Sequence, residues 1–131
     1  MRLRPVDAPR ERPAPTGYTG VDARGRSVQV RFSRPSVVIA VKPGCDGCRE
    51  FLDSSPTILG LDVHVVAERE DPAWALAATS VVVSPELWRD LQILSAPYFV
   101  LVDPLATCVV GEGSVFSLSQ VLDEVARQLE D

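Results

Sequence analysis

Val37-Val38-Ile39-Ala40-Val41-Lys42-Pro43-Gly44-Cys45-Asp46-Gly47-Cys48 is the stretch whose reading decides how this chain is built. Its first five residues are apolar and largely β-branched, as in a short strand buried within a sheet. Two cysteines three apart follow at once, where the pattern turns to that of a helix. Unpaired N–H groups and the positive end of a helix favour a thiolate on the first sulfur. The second sulfur lies one helical turn further on, close enough to complete an intramolecular disulfide. The junction of strand, Cys-x-x-Cys and helix therefore points to thiol–disulfide chemistry.

The bulk properties agree with a single ordinary domain. A chain of 131 residues, 46% hydrophobic and 24% charged, can bury a core without structural metals or several disulfides. A net charge of −5 argues against nucleic acid as a partner, because phosphate binding needs a basic face. Charge is uneven along the chain. Residues 1–34 hold eight arginines against Asp7, Glu11 and Asp22, whereas residues 35–131 hold five basic and fifteen acidic groups. No early segment has the run of about 7–15 apolar residues of a signal peptide, and none approaches the roughly 18 that span a bilayer. The expected location is the cytoplasm, with no membrane span. There a Cys-x-x-Cys pair is catalytic or metal-binding more often than a permanent staple.

Outward from the central stretch, residues 1–17, with Pro5, Pro9, Pro13 and Pro15 among arginines, read as a flexible or extended leader ahead of a domain at 18–131. Tyr18 to Gly25 reads as a turn-rich entry, with its tight turn at Asp22-Ala23-Arg24-Gly25. Ser27 to Phe32 alternates apolar and polar, as a strand near a sheet edge does. After the cysteines a helix is expected to about Ser54 or Ser55, stopped by Pro56. Leu61 to Ala67 is the next strand, and Asp71-Pro72 opens a short helix over 72–78. Val81-Val82-Val83 is a short apolar strand, and Ser84-Pro85 starts a helix through Leu87, Trp88 and Leu91. Tyr98 to Val102 and Cys108 to Val110 form a hairpin turned at Asp103-Pro104. Ser117 with Gln120 makes a capping box and Phe116 with Val121 a hydrophobic staple, opening a last helix with Leu118, Val121, Leu122, Val125 and Leu129 on one face. The order β-β-α-β-(α)-β-α-β-β-α implies an α/β domain with a mixed sheet covered on both faces.

These residues resemble the thioredoxin-like superfamily, and within it the TlpA-like thiol–disulfide oxidoreductases. Three segments carry the resemblance: strand–Cys45-x-x-Cys48–helix continuing through Arg49-Glu50; Ser95-Ala96-Pro97 running into Tyr98-Phe99-Val100-Leu101-Val102-Asp103; and Ser84-Pro85-Glu86-Leu87 leading to Leu91. The likeness covers about residues 18–130. It implies a thioredoxin-like fold and a disulfide oxidoreductase with Cys45 as nucleophile and Cys48 as resolving thiol. Gly44, Ala96 and Pro97 would bind substrate, with Ala96-Pro97 as the family's cis-proline loop. It further implies no bound cofactor, a protein disulfide or dithiol as substrate, and a reductase or small thiol as electron donor. The sequence departs from the family at Gly44, where tryptophan is usual, at the Asp46-Gly47 pair, and at Ile39, where thioredoxin carries a buried acid.

Other readings compete. A redox-inactive thioredoxin-like binding module is the alternative that those departures motivate. A peroxidase would usually have threonine three residues before its reactive cysteine, where this chain has Lys42. Structural zinc needs four ligands, and beyond the pair only Cys108 and His64 are available, both within expected strands. Cys108 reads instead as a small buried hydrophobe, and His64 as a structural or surface histidine opposite Val63 and Val65. Trp74 and Trp88 read as packing residues. Asp53 and Glu50 read as solvated helix charges, with proton acceptance from Cys48 as Glu50's other option. Helix end and Arg49 favour the Cys45 thiolate while Asp46 opposes it, so the direction of electron flow stays open.

Overall fold

The computed structural model of the chain describes residues 12–53, 58, 60–105, 107–115 and 117–130. The expectations placed on residues 1–11, Pro56 and Phe116 lie outside them. The elements are β1 Arg12–Pro13, β2 Gly17–Val21, β3 Ser27–Arg31, β4 Ser36–Val41, a 3-10 turn Asp46–Cys48 leading into α1 Arg49–Asp53, β5 Asp62–Ala67, α2 Ala73–Leu76, β6 Val81–Val83, α3 Pro85–Asp90, β7 Tyr98–Asp103, β8 Cys108–Ser114 and α4 Leu118–Glu130. The strands form one sheet in the order β1-β8-β7-β4-β5-β6-β2-β3. β4, β5 and β6 run parallel, and β4 pairs antiparallel with β7.

All six residues of β4 are buried, so its alternation feeds two cores. Val37, Ile39 and Val41 pack with Phe51 of α1, Trp74 of α2, and Val121 and Val125 of α4. Val38 and Ala40 pack on the other face with Leu87, Trp88 and Leu91 of α3. Helices therefore cover both faces of a mixed sheet, the α/β architecture expected. Sealing either core with its side chains yields about 1.5–3 kcal/mol per fully buried Val, Leu, Ile or Phe.

Local chemistry sets the helix starts. Ser84 Oγ accepts from the Leu87 N–H at 3.2 Å and donates to the Thr19 carbonyl at 2.7 Å, capping α3 and tying it to β2. Asp71 Oδ1 accepts from Ala73 N–H at 2.9 Å ahead of α2. Ser117 Oγ accepts from Gln120 N–H at 3.1 Å at the start of α4. Among the described residues no helix is long and apolar enough to cross a membrane.

Three expectations are corrected. The leader does not run unpaired to Gly17: Arg12–Pro13 pairs with β8, and Ala14 N–H donates to Thr107 C=O at 3.0 Å. Backbone pairing and the Arg12 side chain outweigh the local preference of a proline-rich segment for open chain. The entry at Tyr18 is a strand as well, because β2 forms a hairpin with β3 around Asp22-Ala23-Arg24-Gly25. β8 continues through Gly111-Glu112-Gly113 to Ser114, since pairing with β7 supplies what two glycines lack in strand propensity.

Candidate functional site

The register of β4 and β7 assembles the site. Ala40 lies opposite Tyr98, so the loop leaving β4 and the residues just before β7 meet at one end of the sheet. Gly44, exposed, has φ of +68°, a conformation that favours glycine, and it swings the chain from the loop into the turn that carries both cysteines. Cys45 is extended (φ −102°, ψ 109°), and its carbonyl accepts from Cys48 N–H at 3.1 Å. The two Cα atoms are 5.3 Å apart and the sulfurs are joined in a disulfide. Cys45 is half-buried, whereas Cys48 is fully buried against the core that contains Phe51. Cys45 is thus partly open to solvent and Cys48 is shielded from it.

Pro97 closes the other wall. Its peptide bond with Ala96 is cis, its ring is buried, and Ala96 is half-buried. The ring lies against Gly47: a Cβ at position 47 would stand 3.1 Å from Pro97 Cγ and 3.3 Å from Cδ. This contact joins the cysteine turn to the proline loop. The Pro97 carbonyl accepts from Val115 N–H at 3.3 Å, which anchors the loop to the chain beyond β8.

The loop itself begins at the end of α3. Gln92 is left-handed (φ 58°); its N–H donates to Arg89 C=O at 3.1 Å, and that of Ile93 to Trp88 C=O at 2.9 Å. This is a Schellman ending with glutamine where glycine is usual. It buries Ile93 and turns Leu94 and Ser95 outward, ahead of Ala96 and Pro97.

A polar network stands behind the loop. Arg12 Nε donates to Glu112 Oε2 at 2.9 Å, Arg12 Nη2 donates to Glu112 Oε1 and, at 2.7 Å, to the Leu91 carbonyl, and Tyr98 OH donates to Glu112 Oε1 at 2.8 Å. Burial by itself would raise the Glu112 carboxyl, but hydrogen bonds from Arg12 and Tyr98, with the Arg12 charge, hold it below the usual carboxylate range. Burial, then the bond to Glu112 and its charge, push the Tyr98 phenol above its ordinary value. Neither Arg12 nor Glu112 stood out in the sequence; an acid between two glycines of a strand and an arginine in a proline-rich segment gave no local signal.

The remaining residues singled out in the sequence lie elsewhere. His64 pairs opposite Val38, toward the far end of the sheet, with Nδ1 3.0 Å from Tyr18 OH and Nε2 3.4 Å from Ser36 Oγ. Cys108 is buried on β8 opposite Asp103, also at the far end. Trp74 and Trp88 are both buried, and their ring N–H groups donate to the Arg69 carbonyl at 2.8 Å and the Val66 carbonyl at 3.2 Å. Glu50 is not merely solvated: its Oε1 accepts from Leu118 N–H at 2.8 Å, capping α4 from α1.

No protein-family model matches the sequence, and no curated protein matches it. Solved structures do. The chain is similar to the thioredoxin domain of a thiol-disulfide oxidoreductase from Bacteroides vulgatus, with 21% identity over 89% of this chain and 95% of that one and a TM-score of 0.64. It is similar to a thiol:disulfide interchange protein of the thioredoxin family from Chlorobium tepidum, with 19% identity, coverage of 92% and 97%, and a TM-score of 0.63. The mitochondrial 2-Cys peroxiredoxin from Plasmodium falciparum also aligns, at 9% identity, coverage of 92% and 93%, and a TM-score of 0.62. At such identities the likeness speaks for architecture, and oxidoreductase and peroxiredoxin share it. The chain has the thioredoxin-like fold, with Cys45 and Cys48 bonded to each other where its central strand passes into a helix.

Proposed function

We propose that the protein is a thiol–disulfide oxidoreductase, similar to the TlpA-like group, that exchanges its Cys45–Cys48 pair with a disulfide or dithiol of a protein partner. One observation carries this reading: a half-buried cysteine and a fully buried one, bonded to each other, sit on a turn packed against Pro97. In the reducing direction the Cys45 thiolate attacks a partner disulfide, forming a Cys45–partner bond and expelling one partner thiolate. Cys48, its proton passed to the partner thiolate just expelled, then attacks Cys45 Sγ, forming the intramolecular disulfide and releasing the second partner thiolate. Two electrons pass to the partner, and both of its thiolates take up protons. A reductase or small thiol restores the dithiol; run backwards, the same steps oxidise a partner.

Asymmetric access supports the division of roles. The attacking sulfur must meet a macromolecule, whereas the resolving sulfur need only reach its neighbour. Gly44 and the Ala96–Pro97 backbone would flank the partner chain at Cys45. The absence of a side chain at Gly44 leaves that wall open, since nothing lies within 4 Å of where its Cβ would be. The chemistry requires no bound cofactor, because electrons reside in the sulfur pair.

Turnover of insulin disulfides with dithiothreitol tests the proposal. Wild type is expected to accelerate the reaction and Cys45→Ser to abolish the acceleration, with Cys48→Ser trapping a mixed disulfide. Background rates for wild type and Cys45→Ser alike would favour a redox-inactive binding module.

A further inference from the structure

We infer that Arg12, in the short strand β1, is a positioning residue for the substrate groove: through Glu112 and the Leu91 carbonyl it holds both ends of the segment Leu91–Tyr98 that carries Pro97. The inference rests on the exchange reaction proposed above and adds to it a group lying 33 residues before Cys45 in the sequence.

The geometry is specific to arginine. One guanidinium reaches the Leu91 carbonyl, where the segment begins, and both oxygens of Glu112, whose Oε1 in turn receives Tyr98 OH, where the segment ends. A planar fork of donors can serve a carboxylate and a carbonyl at once, and a lysine ammonium cannot reproduce that pattern. The Arg12 and Glu112 side chains are only 20% and 22% exposed, so water competes weakly for either. The pairing of β1 with β8, Arg12 opposite Val109 and Pro13 opposite Cys108, fixes where the guanidinium starts from.

The consequence falls on Pro97. Between its tethered ends the segment is mostly surface: Gln92, Leu94 and Ser95 are exposed, and only Ile93 and Pro97 are buried. Backbone bonds hold this loop at Gln92, Ile93 and the Pro97 carbonyl, and Tyr98 is paired within the sheet. The Arg12 network adds the side-chain tie that joins the two ends to each other. Without Arg12 the Leu91 carbonyl loses this donor and Glu112 keeps Tyr98 but no cation. The wall then drifts, while the cysteines, fixed by the turn and by Cys48 in the core, remain as they were. A partner protein that must lie along the wall would feel the change, and a small disulfide that needs only Cys45 would not.

Two substrates separate these effects. Reduced wild type, Arg12→Ala, Arg12→Lys and Tyr98→Phe are compared with insulin, for which KM and kcat are measured, and with 5,5′-dithiobis(2-nitrobenzoate), a small disulfide. For Arg12→Ala the expected result is a KM for insulin raised about tenfold, below the roughly 100-fold that a full 1 Å misplacement can cost, with kcat and the small-disulfide rate unchanged. Arg12→Lys should recover only part of the loss. Tyr98→Phe, which removes only the phenol's bond to Glu112 and leaves β1 and β7 in place, should raise KM less; it also carries the test if Arg12→Ala fails to fold. Equal losses with both substrates, or an unchanged KM in folded variants, overturn the inference. No exchange by wild type with either substrate defeats the proposed function instead.

Discussion

Gly47 and Pro97 touch across the two halves of the site: the backbone between the cysteines leaves 3.1 Å between a Cβ it does not have and Cγ of the proline ring. That space is filled by the ring rather than by solvent. Gly47→Ala should therefore act in two opposing ways. Alanine gains about 0.5–1 kcal/mol over glycine within a helical turn, while overpacking costs about 1–3 kcal/mol. Pro97 is buried and its loop is tethered at both ends, so the ring yields little and overpacking wins. The oxidised variant is expected to be about 1 kcal/mol less stable in urea unfolding, with slower insulin turnover as the wall is pushed from Cys45. Stability equal to or above wild type would show that the ring moves freely.

Gln92 sits at φ 58° in the Schellman ending of α3, with its side chain exposed. A side chain in that region costs about 1 kcal/mol that glycine does not incur. Gln92→Gly should raise the urea midpoint by the equivalent of roughly 0.5–1 kcal/mol, less than the full strain because glycine also gains freedom in the unfolded chain. The denaturant slope should not change, since no buried surface is altered. A lowered midpoint would mean that Gln92 makes a contact worth more than the strain.

Much of this architecture was legible in the sequence where local signals and tertiary demands coincide. The Val37–Val41 strand, the Ser84-Pro85 helix start and the cap that Ser117 gives Gln120 each state their structure within a few residues and form as read. The cysteines open a 3-10 turn, with the α-helix beginning only at Arg49. What escaped was determined at a distance. Gly17 reads as leader and Tyr18 to Gly25 as a turn-rich entry, yet a Cβ at Gly17 or Gly20 would run into the carbonyl oxygens of Val30 or Val83, so close strand approach demands both glycines. Glu112 between two glycines reads as loop until β7 lies beside it. The cap that Glu50 gives Leu118 spans 68 residues, and no periodicity announces it. At the candidate site, the cysteines and Pro97 were visible as motifs, while the groups that hold the loop were visible only as neighbours in space.

His64 offers a test of electrostatics away from the cysteines. The Tyr18 phenol, raised above its ordinary value by burial, stays protonated and donates to Nδ1. Ser36 gives its proton to the Arg34 carbonyl at 2.8 Å, leaving Oγ to accept from Nε2–H. The neutral tautomer is thus satisfied on both nitrogens, with Phe32 and Tyr18 edge-on around the ring. Burial lowers the pKa of the imidazole below its ordinary 6.5, and the Asp62 charge offsets this only in part. In the unfolded chain the histidine protonates near 6.5, so below that value the unfolded state binds more protons than the folded one. Unfolding free energy should therefore fall as pH is lowered through 6.5 toward the depressed folded value. Glu112, held below the carboxylate range, keeps its full contribution down to the ordinary carboxyl value of 4.5, beneath a measurement that stops at pH 5. In urea unfolding between pH 8 and pH 5, His64→Asn should be less stable at neutral pH, having lost two hydrogen bonds, yet show a flatter dependence across the histidine window. A slope identical to that of wild type would assign the titration to another group.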